Sequence, residues 1–487
     1  MRWPTHLPRP QGTGTKLEAP NRRLVVMFDG TWNERENLTN VARMFEAIDD
    51  YKPAGYKYTV EEGHSHHMDP LLYKGPEPVQ LVKYLKGVGT NVVGHFAGGA
   101  VGFGLSGIIK EGYRWLSQNY LEGDEIFVFG FSRGAYSARS LVSLIHRCRG
   151  VLNLDMDYGD PCLPGAKDID ECARIYNDPL LTKGQWLNVH RGDPDHPRTS
   201  RLLGAAYDLH TNFQDTVEYA EKMNAFGNKY CQHVSIKMLG VWDTVGSVGL
   251  RFEKGSYWDR NCPWSSSYYD LIHGQKLPCI VENAYHALAI DEHREPFLPT
   301  LWESWMPWDE NKKLGNKQVE QVWFIGSHCN VGGGATAINK DGDEDPDDLF
   351  QYSYMWMQEK AHALGLRFTW LYTPLEAKRV SRTVPEDSYR LMLKPPFMKE
   401  GLYCKLRPPV NRPVVDSTGS LLHGSSLHWS VVERMKQDPE YRPASLPIHP
   451  NDVITPDLFT TSDSTKLLTK TCSCTRDTES PKIRKSL

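Results

Sequence analysis

The sequence lacks any strong excess of charge: 56 lysines and arginines stand against 60 aspartates and glutamates, for a formal net charge of −4. It therefore offers no broad basic surface, and nucleic acid is not expected as a partner. Cysteine is sparse and scattered, with ten in 487 residues. Apart from Cys472 and Cys474 near the C-terminus, no two have metal-like or disulfide-framework spacing, so no metal or other cofactor is expected and a reducing compartment, the cytoplasm, fits best. The first 22 residues are proline-rich and polar without the apolar run of a signal peptide, and read as a flexible leader. Long hydrophobic runs are missing as well. The most apolar stretch, Val92 to Ile109, is broken by His95 and several glycines and falls short of the roughly 20 residues that span a bilayer. It is expected to be packed glycine-rich structure, leaving at most a peripheral membrane contact. The terminal Lys485-Ser486-Leu487 carries the residues of the peroxisomal Ser-Lys-Leu signal in the wrong order. There is no internal repeat.

What is present is an alternation of strand and helix patterns. Leu24–Phe28, Gln80–Leu85, Glu125–Phe129, Val234–Val241 and Gln321–Ile325 are short apolar runs of the kind that form buried strands. Between them, Leu38–Ile48, Ile108–Tyr120, Ala135–Ile145 and Leu349–Leu364 carry helical spacing, and Asn283–Ile290 also reads as helical. Such an order predicts an α/β fold, a mostly parallel sheet with helices on both faces. Two long segments rich in proline, glycine, aspartate and aromatics, near 153–214 and 253–277, read as insertions forming a lid or cap. The expected organisation is one catalytic domain over 23–385, a C-terminal extension over 386–455 packed on it, and a disordered tail over 456–487.

Gly130-Phe131-Ser132-Arg133-Gly134 is a G-x-S-x-G sequence that follows a predicted strand directly and opens a predicted helix. That setting is a nucleophile elbow, the strained turn that presents a serine at the sheet edge of an α/β-hydrolase-like fold. The flanking glycines let neighbouring chain pass, and the backbone N–H of Arg133 at the helix start is placed to stabilise an oxyanion. The plain alternative is a serine that merely caps the helix.

A serine nucleophile needs a base and an acid to orient it, in the chain order Ser, Asp, His on this fold. Asp243 stands just beyond the strand that ends in Val241 and is the acid candidate, the alternative being a turn cap. His328 follows the strand Gln321–Ile325 and precedes Gly332-Gly333-Gly334, so it is favoured as base over His286, His293 and His428. The alternative there is a buried structural histidine. After the first strand, Asp29, Gly30 and Thr31 form a loop whose N–H groups at Gly30 or Thr31 would be a second oxyanion donor; an Asx turn made by Asp29 is the other reading. Tyr257-Trp258, Trp264–Tyr269 and Trp302–Trp308 either cover an apolar pocket, rest at a lipid interface, or pack under loops.

Phe28-Asp29-Gly30-Thr31 is also similar to the signature of haloacid-dehalogenase-type phosphohydrolases. Their nucleophilic aspartate falls where this chain has Met27, and a thioether cannot replace it. A metal site from Asp29, Asp243 and His328 has no close ligand spacing to support it.

Six ordered motifs carry a family resemblance: FDGTWN (Phe28 to Asn33), GVGTN (Gly87 to Asn91), GDEIFVFGFSRGAYSAR (Gly123 to Arg139), GVWDTVG (Gly240 to Gly246), YHALAIDEHR (Tyr285 to Arg294) and GSHCNVGGG (Gly326 to Gly334). With them the chain resembles the α/β-hydrolase domain family, long classed as of unknown function, that includes phospholipase effectors of bacterial type VI secretion. The resemblance implies a Ser-Asp-His triad at Ser132, Asp243 and His328, and hydrolysis of carboxylic esters, with lipid or phospholipid esters as substrates. Where the family usually reads His-x-Asp, this chain has His328-Cys329-Asn330. The contrasting reading is a catalytically silent module of the same fold that binds a membrane or a protein partner.

Overall fold

In the computed structural model the described residues are 22–30, 33, 35–49, 51, 58–61, 64–67, 77–87, 98–154, 197–211, 216–245, 276–302, 304–306, 318–334, 336–338, 344–346, 349–371, 409–415, 421–422 and 425–446. At their centre is a sheet of seven strands: β1 (Arg22–Phe28), β2 (Val79–Leu85), β3 (Glu125–Phe131), β4 (Ile236–Trp242), β5 (Asn283–Ala289), β6 (Gln318–Phe324) and β7 (Ser425–Leu427). Their spatial order is β7-β6-β5-β4-β3-β1-β2 and every pairing is parallel. A parallel sheet is covered on both faces, which is why its strands are continuous apolar runs such as LVVMF in β1 and IFVF in β3.

The period of two sorts those runs onto two cores. Val25, Met27, Phe127 and Phe129 face α1 (Asn40–Asp49), a later helix over Phe350–Ala363 and one over Trp429–Gln437. Leu24, Val26, Ile126 and Val128 face α2 (Gly98–Asn119), α3 (Arg133–Arg147), α4 (Pro197–Thr211) and α5 (Val217–Tyr230). The chain leaves β1 toward β2 on one side and returns to add β3 on the other. The order therefore reverses at β1, and the carboxyl ends of β1 and β3 flank the crevice where open α/β sheets bind ligands.

The structure departs from the sequence reading in several places. Asn283–Ile290 is a strand, not a helix; β5 is buried along its whole length. Its alanines and leucine suit a helix by propensity, but a central strand covered on both faces shows no alternation, and burial outweighs propensity there. The glycine-rich stretch is helical from Gly98, where α2 begins, and among the described residues no helix is long and apolar enough to cross a membrane. Part of the 386–455 segment enters the sheet itself as β7. Of the readings left open for Trp302, packing holds: it is buried in the core, with its ring 5.2 Å from that of His286. The leader up to residue 21, the tail, Tyr257-Trp258, Trp264–Tyr269 and most of both insertions lie outside the described residues, while Arg22, expected in the leader, opens β1; 153–154 and α4 are the described parts of the first insertion.

Candidate active site

Backbone bonds continue past the strand ends and align the site residues in a row. Ser132 N–H donates to the Trp242 carbonyl at 3.0 Å, and Asp243 N–H donates to the Ala287 carbonyl at 2.7 Å. β3 runs straight through Gly130 and Phe131 to Ser132, and α3 starts at the next residue. The turn is tight enough to hold Ser132 at φ 59°, ψ −124°, a left-handed conformation that costs a non-glycine residue on the order of 1–3 kcal/mol. It closes only because Gly130 and Gly134 lack side chains: a Cβ on Gly134 would lie 2.3 Å from the Phe28 carbonyl oxygen, and one on Gly130 2.5 Å from that of Gly134. The residue after β4 is strained as well, with Asp243 at φ 39°.

The three sequence-selected side chains meet. His328 Nε2 lies 2.7 Å from Ser132 Oγ, and His328 Nδ1 lies 2.5 Å from Asp243 Oδ2. With the proton on Nδ1 donated to the carboxylate, Nε2 is free to accept the serine hydroxyl proton, which is the tautomer a general base requires. The Phe131 and Phe297 rings pack on the imidazole at centroid distances of 4.7 and 4.8 Å. Burial pushes the imidazole's pKa down, and the hydrogen bond and charge of Asp243 only partly restore it, so His328 is held below its ordinary value. Burial alone would raise Asp243, but the charge of Arg412 and the His328 hydrogen bond bring it well below the usual carboxylate range.

His328 opens a short helix, α6 (His328–Gly332), whose start is a capping box. Asn330 Oδ1 accepts from the Ser327 N–H at 3.0 Å and from its hydroxyl at 2.9 Å. Asn330 thus supplies the acceptor that closes the turn from which His328 projects.

Sequence reasoning missed two supports. Glu292 accepts the His328 backbone N–H at 3.3 Å and is itself gripped by Arg294, with Nε–H and a terminal N–H at 2.9 and 2.8 Å. Burial would raise its pKa, but Arg294 brings it down to about 2. Its only signal was membership of the IDEHR motif. Arg412 donates two hydrogen bonds to the Asp243 carboxylate, which also accepts the Ala289 N–H at 3.0 Å. No pattern marked it. The guanidinium matches the charge of this carboxylate and engages both of its oxygens.

The rival histidines have other partners. His286 accepts the Thr244 N–H at Nε2, 3.2 Å away, and faces Gln321 through Nδ1. His428 caps the helix that follows it and stacks on Phe324 at 4.4 Å. The His293 backbone N–H donates to Glu292. Asp29 is buried, and its carboxylate accepts from Gly30 N–H at 2.7 Å, the Thr39 hydroxyl at 2.8 Å and the Tyr84 hydroxyl at 2.5 Å. The Gly30 N–H is thus committed to Asp29 in this arrangement, and Thr31 lies outside the described residues. Arg133 begins α3, so the positive end of that helix dipole is directed at Ser132.

Comparison with known proteins adds the family. The model described as "T6SS, Phospholipase effector Tle1-like, catalytic domain" matches residues 22–360. An uncharacterized protein of Saccharomyces cerevisiae is 23% identical over 303 residues, covering 57% of this chain and 32% of the yeast protein. This chain thus spans about a third of the length of that curated relative. Among solved structures, an uncharacterized protein from Pseudomonas aeruginosa matches 72% of this chain and 48% of its own at 15% identity, TM-score 0.33. The Tle1 effector bound to the VgrG spike of the type 6 secretion system matches 80% and 81% at 13% identity, also with TM-score 0.33.

Proposed function

The chain belongs to the Tle1-like family of type VI secretion phospholipase effectors, through that family's catalytic domain, and from that membership we propose that it is a serine hydrolase cleaving carboxylic esters of lipids. The observation that carries this reading is the hydrogen-bonded line from Asp243 through His328 to Ser132 at the carboxyl edge of a parallel sheet. His328 Nε2 takes the hydroxyl proton as Ser132 Oγ attacks the ester carbonyl, and Asp243 stabilises the imidazolium that forms. The Arg133 N–H and the α3 dipole hold the oxyanion, joined by Gly30 N–H once it leaves the Asp29 carboxylate, or by Thr31. The imidazolium returns its proton to the leaving alkoxide, and water, activated by the same ring, releases the acyl group. The catalytic unit proposed is 23–385, completed by 386–455 through Arg412; substrate comes from a membrane contacted peripherally.

The second reading is a silent module of the same fold, and one observation favours it: Ser132 is only 4% exposed. Its hydroxyl nevertheless points at a base, which a purely structural serine does not need. Fluorophosphonate labelling of wild type and Ser132→Ala, with fatty-acid release from phospholipid vesicles and short-chain esters, separates the two. Labelling confined to wild type, with vesicle hydrolysis, is expected; a folded wild type that is neither labelled nor active would leave the module.

A further inference from the structure

Arg412 reaches the site from outside the segment matched by the family model, 22–360. Its side chain is 1% exposed. One terminal N–H group bonds Asp243 Oδ1, while the other donates to Oδ2 at 2.9 Å and to the Phe297 carbonyl at 2.6 Å. Its backbone is fixed in turn by an N–H to Ser445 Oγ bond of 3.0 Å. The fork holds the plane of the carboxylate, and Oδ2 is the oxygen that faces His328 Nδ1. A two-point grip of this kind fixes orientation as well as charge.

The charges around the imidazole cancel. Among the described residues, the charged groups acting on His328 are Asp243 from the end of β4 and Glu292 and Arg294 from beyond β5, with Arg412 joined to it through the Asp243 carboxylate; the Ser132 hydroxyl and the Phe131 and Phe297 rings also pack against it. Two carboxylates are matched by two guanidiniums, so the cluster is neutral with a neutral imidazole. A triad without such an arginine carries one net negative charge in that state, which favours the imidazolium.

We infer that Arg412 is a positioning residue for the proposed triad which, by neutralising Asp243, keeps His328 a neutral base into mildly acidic solution. This rests on the serine-hydrolase reading above. The test is the rate of fluorophosphonate labelling of the full chain between pH 5 and 9, for wild type, Arg412→Lys and Arg412→Met, with thermal unfolding followed in parallel. Wild type is expected to lose reactivity with a midpoint below the ordinary histidine value of about 6.5. In Arg412→Met the midpoint rises by about one pH unit or more, because the carboxylate beside the base is no longer neutralised. Arg412→Lys keeps the charge without the fork: its midpoint stays near that of wild type while its plateau rate falls about tenfold. A wild-type midpoint near 7 or above, or an unmoved midpoint in folded Arg412→Met, overturns the inference while leaving the hydrolase reading intact. If Arg412→Met does not fold, the wild-type midpoint and that of Arg412→Lys decide, and a rise of a full unit in Arg412→Lys counts against it. Folded wild type that is unlabelled at every pH removes the hydrolase reading and this inference together.

Discussion

Gly332 lies flat against the ring of Phe131: a Cβ there would come within 1.9 Å of it. The ring's face packs on the imidazole of His328 at 4.7 Å, so a ring displaced from Gly332 presses on the base. Gly332→Ala is therefore expected to push Phe131 against the base. The overpacking costs about 1–3 kcal/mol, and misplacement of the imidazole lowers hydrolysis by about 100-fold. Thermal unfolding and ester turnover check this; full activity in the alanine variant would show that the ring has room to move.

His286 and His428 make the fold acid-sensitive. Burial holds both down to about 3, with the charge of Arg139 adding to the effect at His286. Between about pH 6.5 and 3 the folded chain therefore binds fewer protons than the unfolded one, so the stability present above pH 6.5 is lost as pH falls through that window. His428→Asn keeps a side chain able to cap the following helix and removes one titration. Urea unfolding at pH 7 and pH 5 is expected to show a smaller acid loss in the variant than in wild type. An equal loss in both would remove His428 from the account.

Asp29 works in the opposite direction. Burial raises its pKa to about 6 against the hydrogen bonds from Tyr84, Thr39 and Gly30. Its protonated form is the one the fold prefers, so its contribution is fully present below about pH 4 and is lost as pH rises through about 6. Asp29→Asn retains an acceptor for Gly30 N–H without a buried charge. It is expected to gain on the order of 1–2 kcal/mol at pH 8 and little at pH 4.5, read from urea midpoints of the two proteins. A variant less stable at pH 8 would mean that the three hydrogen bonds outweigh the burial of the charge.

The parts of the molecule legible in the sequence are those where local pattern and global role agree. β3 followed by α3 was visible because an apolar run, two glycines and a helical pattern all encode one sharp turn, and His328 because glycines follow it. β5 was misread because alternation, the signal that distinguishes strands, vanishes when both faces are buried. Arg412 could not have been found: it acts on Asp243 from 169 residues away, and a lone arginine between prolines has no periodicity to announce it. Glu292 is a milder case, quoted within a motif but without a role, because its bond goes to a backbone N–H that only the fold brings near.

Two glycines with opposite surroundings test how tightly the elbow is made. Gly134 faces the backbone at the end of β1, with the Phe28 and Asp29 carbonyl oxygens 2.3 and 2.4 Å from a built Cβ, and neither can move without breaking the β1 edge of the crevice. Gly107, in the middle of α2, has nothing within 4 Å. Gly107→Ala is expected to stabilise the chain by about 0.5–1 kcal/mol, since alanine restricts the unfolded chain and favours helix. Gly134→Ala is expected to yield no soluble folded protein, or one that has lost fluorophosphonate labelling because Ser132 has been displaced. Expression, circular dichroism and labelling of the pair give the answer, and a well-folded, normally labelled Gly134→Ala would mean that the strand-to-helix turn has slack that these distances deny.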